Sequence, residues 1–273
     1  MMPPVADPAW LRAHREEVVL ADVRWYLDGR SGRAAYDAGH LPGAVFVDLD
    51  RWLAAPGGPA GGRHPLPDPA VFAQGMAALG IGDGDTVVAY DDAGGVVAAR
   101  LVWMLRVTGH QAALLDGGLA AGDGPLERVA PDPAPAVFTP RPWPAERLAD
   151  VADAVDPAAV VLDARDPERY RGDREPVDPR AGHVPGAVNV PCRANLDASG
   201  RFRPVEELRR TFAAAGVTGD SDVVSYCGSG VTACHNLLAL ELAGLPEGRL
   251  YPGSWSQYSA DPDRPVAVGD RPG

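Results

Sequence analysis

The sequence contains no lysine; every one of its 25 Lys/Arg positions is arginine. That excludes Schiff-base chemistry and a lysine general base. It leaves arginine, the better fork-shaped binder of oxyanions, to hold any anionic substrate. Basic charge is scarce altogether: set against 37 acidic residues it leaves a net charge of −12. A nucleic-acid surface or an anionic membrane surface recruits basic patches, so neither partner is expected. Long apolar runs are missing too, and no stretch approaches the roughly 20 residues that span a bilayer. Residues 1–11 are Pro-rich and acidic, without the basic start and apolar run of a secretory leader. Cysteine is rare. Cys192, Cys227 and Cys234 are an odd number in a long acidic chain, which reads as reduced thiols in a cytoplasmic protein and not as a disulfide framework. No Cys/His cluster has zinc spacing, and neither a Walker loop nor a dinucleotide fingerprint occurs. No metal and no cofactor is expected.

What is present is a repeat. Val18-Val19-Leu20-Ala21-Asp22-Val23-Arg24 resembles Val160-Val161-Leu162-Asp163-Ala164-Arg165. Each leads to a near-identical turn, Gly39-His40-Leu41-Pro42-Gly43-Ala44 and Gly182-His183-Val184-Pro185-Gly186-Ala187. Later, Thr86-Val87-Val88-Ala89-Tyr90-Asp91 matches Val223-Val224-Ser225-Tyr226-Cys227, and Leu115-Asp116-Gly117-Gly118 matches Leu250-Tyr251-Pro252-Gly253. Matched landmarks in the same order point to a duplication. Within each copy, short apolar runs alternate with helical-period stretches such as 69–79 and 96–107. That pattern predicts an α/β fold of two tandem domains, each a mostly parallel sheet with helices on both faces. Pro69 and Pro204 suit first helical turns, and Gly80 and Gly216 suit helix exits. Prolines 131, 133, 135, 140, 142 and 144 forbid a helix between the copies and favour an extended connector. The domains are expected over residues 8–124 and 147–270, with residues 125–146 as the linker.

The second copy carries the chemistry. A buried strand is expected to end at Cys227, followed by the tight loop Gly228-Ser229-Gly230 and a helix beginning near Val231. In open α/β sheets ligands bind outside the carboxyl ends of the strands, which is where this places Cys227. The two glycines let several backbone N–H groups face the sulfur and favour a thiolate, or the outer sulfur of a persulfide anion. The alternative is that Cys227 is a small buried hydrophobe, the common fate of a free cysteine. Asp91 at the matching place in the first copy argues against that, because an aspartate is a poor substitute for a small apolar group.

These motifs resemble the two-domain rhodanese family, the thiosulfate and 3-mercaptopyruvate sulfurtransferases. The resemblance covers nearly the whole chain. It rests on Asp22-Val23-Arg24, both Gly-His-x-Pro-Gly-Ala turns, Gly62-Arg63-His64-Pro65-Leu66-Pro67, the loop from Cys227 to Thr232, and Tyr251-Pro252-Gly253-Ser254-Trp255. It implies an inactive first domain, an active second one, and sulfur transfer through a Cys227 persulfide. Gly228, Gly230, Val231 and Thr232 would frame the anion. The loop sequence is similar to that of mercaptopyruvate-preferring members, in which a serine, a histidine and an aspartate form a triad; matched here, these are Ser229, His64 and Asp50. His64 can equally be read as a loop histidine held by local hydrogen bonds. Arg169 matches a substrate arginine of the family. A second family arginine falls on Val177, a departure that leaves the donor open, and Arg174, Arg180 or Arg171 is expected to compensate. The resemblance also implies a small anionic donor, a thiol, thioredoxin-like or cyanide acceptor, and a monomer.

Arg24, Arg165, His40 and His183 recur in both copies, which points to structural bracing. Cys234 is expected in the core, and Cys192, after Val190-Pro191, stands as a candidate second redox thiol. Two rival functions remain. A cysteine phosphatase or arsenate reductase needs an arginine at the far end of the loop, where Ala233 stands. A persulfide carrier fed by a partner desulfurase would need Cys227 but no small donor.

Overall fold

The computed structural model describes residues 2–122 and 124–273. They form two compact units that are not continuous in sequence. The first comprises residues 1–55, 66–143 and 198–202; the second comprises 56–65, 144–197 and 203–273.

In the first unit the strands are β1 (Val5–Ala6), β2 (Val18–Asp22), β3 (Val45–Phe46), β4 (Thr86–Tyr90) and β5 (Gln111–Leu115). They lie in the order β1-β5-β4-β2-β3, all pairs parallel. Helices α1 (Pro8–Ala13), α2 (Gly32–Ala38), α3 (Pro69–Ala78) and α4 (Ala99–Val107) flank them. Pro69 opens α3 behind an N-cap from Asp68, and Gly80 follows its end at φ +71°. The core joins Leu20 and Val88 from neighbouring strands with Leu11, Leu41 and Tyr90. The Pro-rich connector, up to Trp143, belongs to this unit. It forms no helix or strand, and hydrogen bonds from Ala136 to Ala77 and from Trp143 to Pro67 hold it down.

The second unit repeats the plan with β6 (Val160–Asp163), β7 (Val188–Asn189), β8 (Val223–Tyr226) and β9 (Arg249–Leu250), parallel and ordered β7-β6-β8-β9. Its helices are α5 (Pro167–Arg171), α6 (Val205–Ala214), α7 (Ala233–Leu242) and α8 (Ser254–Tyr258). Pro204 sits at the N-cap of α6, one place ahead of the expected first turn. The core packs Val161 and Val224 against Tyr226, Tyr251, Trp255 and Tyr258. In both sheets the order of strand addition reverses between the first long strand and the next, β2/β4 and β6/β8, while all strands stay parallel. That is the switch point at which open α/β sheets place their sites.

The repeated residues brace both sheets alike. Arg24 grips both oxygens of Asp22 and the carbonyl of Gly39; Arg165 does the same to Asp163 and Gly182. His40 stacks on Tyr36 and His183 on Tyr170, each bonding that tyrosine's carbonyl through Nδ1. Among the described residues no helix is long and apolar enough to cross a membrane.

Candidate active site

Strand β8 ends at Tyr226 and delivers Cys227 to the carboxyl edge of the second sheet. The loop turns at once, with Gly230 at φ +78°. A side chain there would be strained, and its Cβ would stand 2.6 Å from the Pro252 carbonyl. The turn brings the Gly230 N–H to 3.1 Å from Cys227 Sγ. The other wall is the segment before α8. Ser254 accepts the Cys227 N–H at 3.1 Å and donates to the Tyr251 carbonyl at 2.8 Å. The N–H groups of Trp255 and Ser256 bond the carbonyls of Cys227 and Gly228. Ser254 is the one non-glycine residue with positive φ among those described, at +52°. Strain of this kind gathers at functional sites. Its hydroxyl role was not legible in the sequence, although the Tyr-Pro-Gly-Ser-Trp motif marked the segment.

The 56–65 segment completes this unit's site. Gly58 and Gly62 exchange backbone hydrogen bonds across a tight turn. Gly62 lies so near the α8 segment that a Cβ would stand 2.4 Å from the Gly253 carbonyl. The Arg63 N–H bonds Ser256 Oγ at 3.0 Å. His64 is thereby buried beside the loop, with Nδ1 2.7 Å from Ser229 Oγ. The structure thus brings Cys227, Ser229 and His64 together within one unit. Asp50 lies in the first unit, in the π-helical turn Leu49–Leu53, where it accepts the Trp25 indole N–H at 3.1 Å. Asp48 caps that turn through the Arg51 N–H.

A chain of charges of alternating sign reaches the loop. Asp163 pairs with Arg165, Arg165 with Glu175, Glu175 with Arg169, Arg169 with Asp178, and Asp178 with Arg63. Burial works against ionisation of Glu175, but the hydrogen bonds from Arg169 and the N–H groups of Asp178 and Val177 outweigh it and hold the carboxyl below its usual range. Arg169 stands against Gly228. So does Arg63, which sequence reasoning passed over although it adjoins His64.

Arg180 is placed differently from its expected role. Its guanidinium donates to the carbonyls of Tyr258, Ser259, Asp261, Pro262 and Arg264, so it frames the turn that follows α8. Val231 is buried, and Thr232 is the N-cap residue of α7, whose first residue, Ala233, lies two places after the expected helix start at Val231. Cys192 is buried, and burial pushes its thiol up to about 12. A thiol of that kind is protonated and inert at neutral pH. Cys192→Ala is therefore expected to leave any reaction carried by Cys227 within about twofold of wild type, as judged by steady-state rates.

The first unit shows what such a loop holds when it carries an acid. The carboxylate of Asp91 accepts four backbone N–H groups, from Ala93, Gly95, Val97 and Ala98, at 2.7–3.0 Å. Burial pushes this carboxyl up and the N–H groups oppose it. The loop is an anion cradle with its anion built in.

The rhodanese-like domain family matches residues 7–123 and again 145–261. A probable 3-mercaptopyruvate sulfurtransferase of Pseudomonas aeruginosa is 45% identical over 95% of both chains. A putative thiosulfate sulfurtransferase of Mycobacterium tuberculosis is 41% identical over 93% of this chain and 92% of its own. The solved structure of a 3-mercaptopyruvate sulfurtransferase from Leishmania major superposes with a TM-score of 0.83 at 32% identity, covering 94% of this chain and 74% of that one.

Proposed function

This chain belongs to the rhodanese family and is a sulfurtransferase, and from that premise we propose that Cys227 carries the sulfane sulfur as a persulfide. The observation that carries this reading is the pair of loops. One holds a resident carboxylate on four N–H groups; in the other the Gly230 N–H faces Cys227 Sγ at the matching place. The outer sulfur of a persulfide anion takes the place that the Asp91 oxygens take in the first unit. Residues 8–124 then form the inactive domain and 147–270 the catalytic one, with residues 56–65 lending His64 and Arg63 to the latter.

The donor is 3-mercaptopyruvate by preference, with thiosulfate as the alternative. The Cys227 thiolate attacks the donor sulfur, the C–S bond breaks, and its electron pair passes into the enolate of pyruvate. Ser229, hydrogen-bonded to His64, supplies the proton that quenches the enolate, and the donor's own S–H proton restores the balance. Asp50 is proposed as the third member of this relay. In the second step an acceptor thiolate (a small thiol or a thioredoxin-like protein) or cyanide attacks the outer sulfur. The S–S bond breaks and Cys227 leaves as a thiolate.

Steady-state transfer with each donor tests the reading, expressed as the ratio of kcat/KM values. A ratio favouring mercaptopyruvate is expected; one favouring thiosulfate would remove the Ser229 relay from the mechanism. Thiosulfate leaves as sulfite and needs no carbon protonated. His64→Ala is therefore expected to lower kcat for mercaptopyruvate on the order of 10²-fold, and to change thiosulfate turnover far less. Equal losses with both donors would reduce His64 to a packing residue.

A further inference from the structure

The charged chain that ends at Arg63 has a consequence for which donors the site admits. Asp163, Arg165, Glu175, Arg169, Asp178 and Arg63 alternate in sign. Each positive charge is matched by a negative one, so the network is neutral before any donor arrives. Its ends are not equivalent. Arg165 and Asp163 are deeply buried at the sheet, while the Arg63 side chain is 27% exposed.

The two outer arginines hold Asp178 with one side of their guanidinium groups. Arg63 uses Nη1, and Arg169 uses Nη2, with Nε and Nη2 also on Glu175. The remaining nitrogens converge on the Cys227 loop. A Cβ on Gly228 would lie 2.8 Å from Arg63 Nη2 and 3.3 Å from Arg169 Nη1. Glycine at 228 is what leaves room for both. The buried Nε of Arg63 has no hydrogen-bond partner among the described residues. Such a donor is costly to leave unpaired in a finished structure. The Val177 side chain offers nothing in place of the family's second arginine, and its N–H is spent on Glu175.

We propose that Arg63 and Arg169 together clamp the donor's carboxylate over Gly228, Arg63 standing in for the arginine absent at Val177, and that Asp178 restricts this clamp to singly charged donors. The inference rests on the reading of Cys227 as the sulfur carrier. 3-Mercaptopyruvate brings one negative charge and thiosulfate two. Each added charge meets a network already neutral and a thiolate beside it. Removing the negative charge of Asp178 lowers the energy of an approaching anion in proportion to that anion's charge. Thiosulfate therefore gains twice as much, in the exponent, as mercaptopyruvate.

Asp178→Asn keeps the side-chain shape and removes the charge. It is expected to raise kcat/KM for thiosulfate roughly tenfold relative to that for mercaptopyruvate, with a gain that shrinks as salt is added. Arg63→Gln is expected to raise KM for mercaptopyruvate about tenfold while kcat falls much less. Arg63→Lys restores only part of that loss, because an ammonium lacks the second prong. Mass spectrometry of Cys227 after each donor runs in parallel. An unchanged donor ratio in Asp178→Asn, with the Cys227 persulfide still forming, overturns the inference alone. An unchanged KM in Arg63→Gln removes Arg63 from the clamp. A wild-type enzyme with no sulfur on Cys227 overturns the carrier reading instead, and this inference with it.

Discussion

Cys227→Ser is expected to abolish sulfur transfer, by at least about 10³-fold with either donor, and to leave the protein folded. The thiol is 2% exposed and close-packed. A hydroxyl differs from it little in size and can accept the same N–H from Gly230, which now lies 3.1 Å from the sulfur. Chemistry is what the serine cannot supply, since an alkoxide is not available at neutral pH and oxygen forms no persulfide. The check is intact-mass measurement after incubation with donor. Wild type should gain the mass of one sulfur, lose it to a thiol, and the variant should do neither. Turnover retained by a folded Cys227→Ser variant would sink the mechanism, and the sulfur would then have to be sought on another residue.

The largest expected effect on stability comes from Arg165→Met. Asp163 is fully buried at the end of β6, and Arg165, 3% exposed, grips both its oxygens. Burial disfavours the charged guanidinium, yet the charge and hydrogen bonds of Asp163 outweigh it and raise the arginine's pKa. Truncating the arginine strands a buried carboxylate. Loss of one partner of such a pair costs about 3–5 kcal/mol, a fall in Tm on the order of 10 °C for a unit of this size. The Gly182 carbonyl and Glu175 lose a partner as well. Calorimetry of the variant against Asp163→Leu/Arg165→Met separates the causes. The double variant should recover much of the loss, because a buried ion pair is often replaceable by apolar groups while a lone buried charge is not. If both variants fall equally, packing and not charge explains the pair.

The sequence by itself determined the duplication, the parallel α/β plan and the position of Cys227. These are local or periodic properties. Short β-branched runs, glycine-rich turns and proline positions act over a few residues, and the paired Asp-x-Arg and Gly-His-x-Pro-Gly-Ala motifs could be compared copy against copy. The contrast of Cys227 with Asp91 was legible for the same reason. Its meaning emerged only from the structure, where four N–H groups converge on the Asp91 carboxylate. Tertiary structure alone decided which residues surround the sulfur. Residues 56–65 group with the second unit, although the chain runs through them within the first copy. That brings His64 to Ser229 across 165 residues of sequence and sets Arg63 beside Arg169. It also spends Arg180 on backbone carbonyls, although its position in the sequence made it as good an anion anchor as its neighbours. Spacing along the chain cannot rank one arginine above another, because the pairing of a charge is fixed by which carboxylates and carbonyls folding places around it. Here the acids at 175 and 178 hold Arg63 and Arg169 beside the glycine at 228.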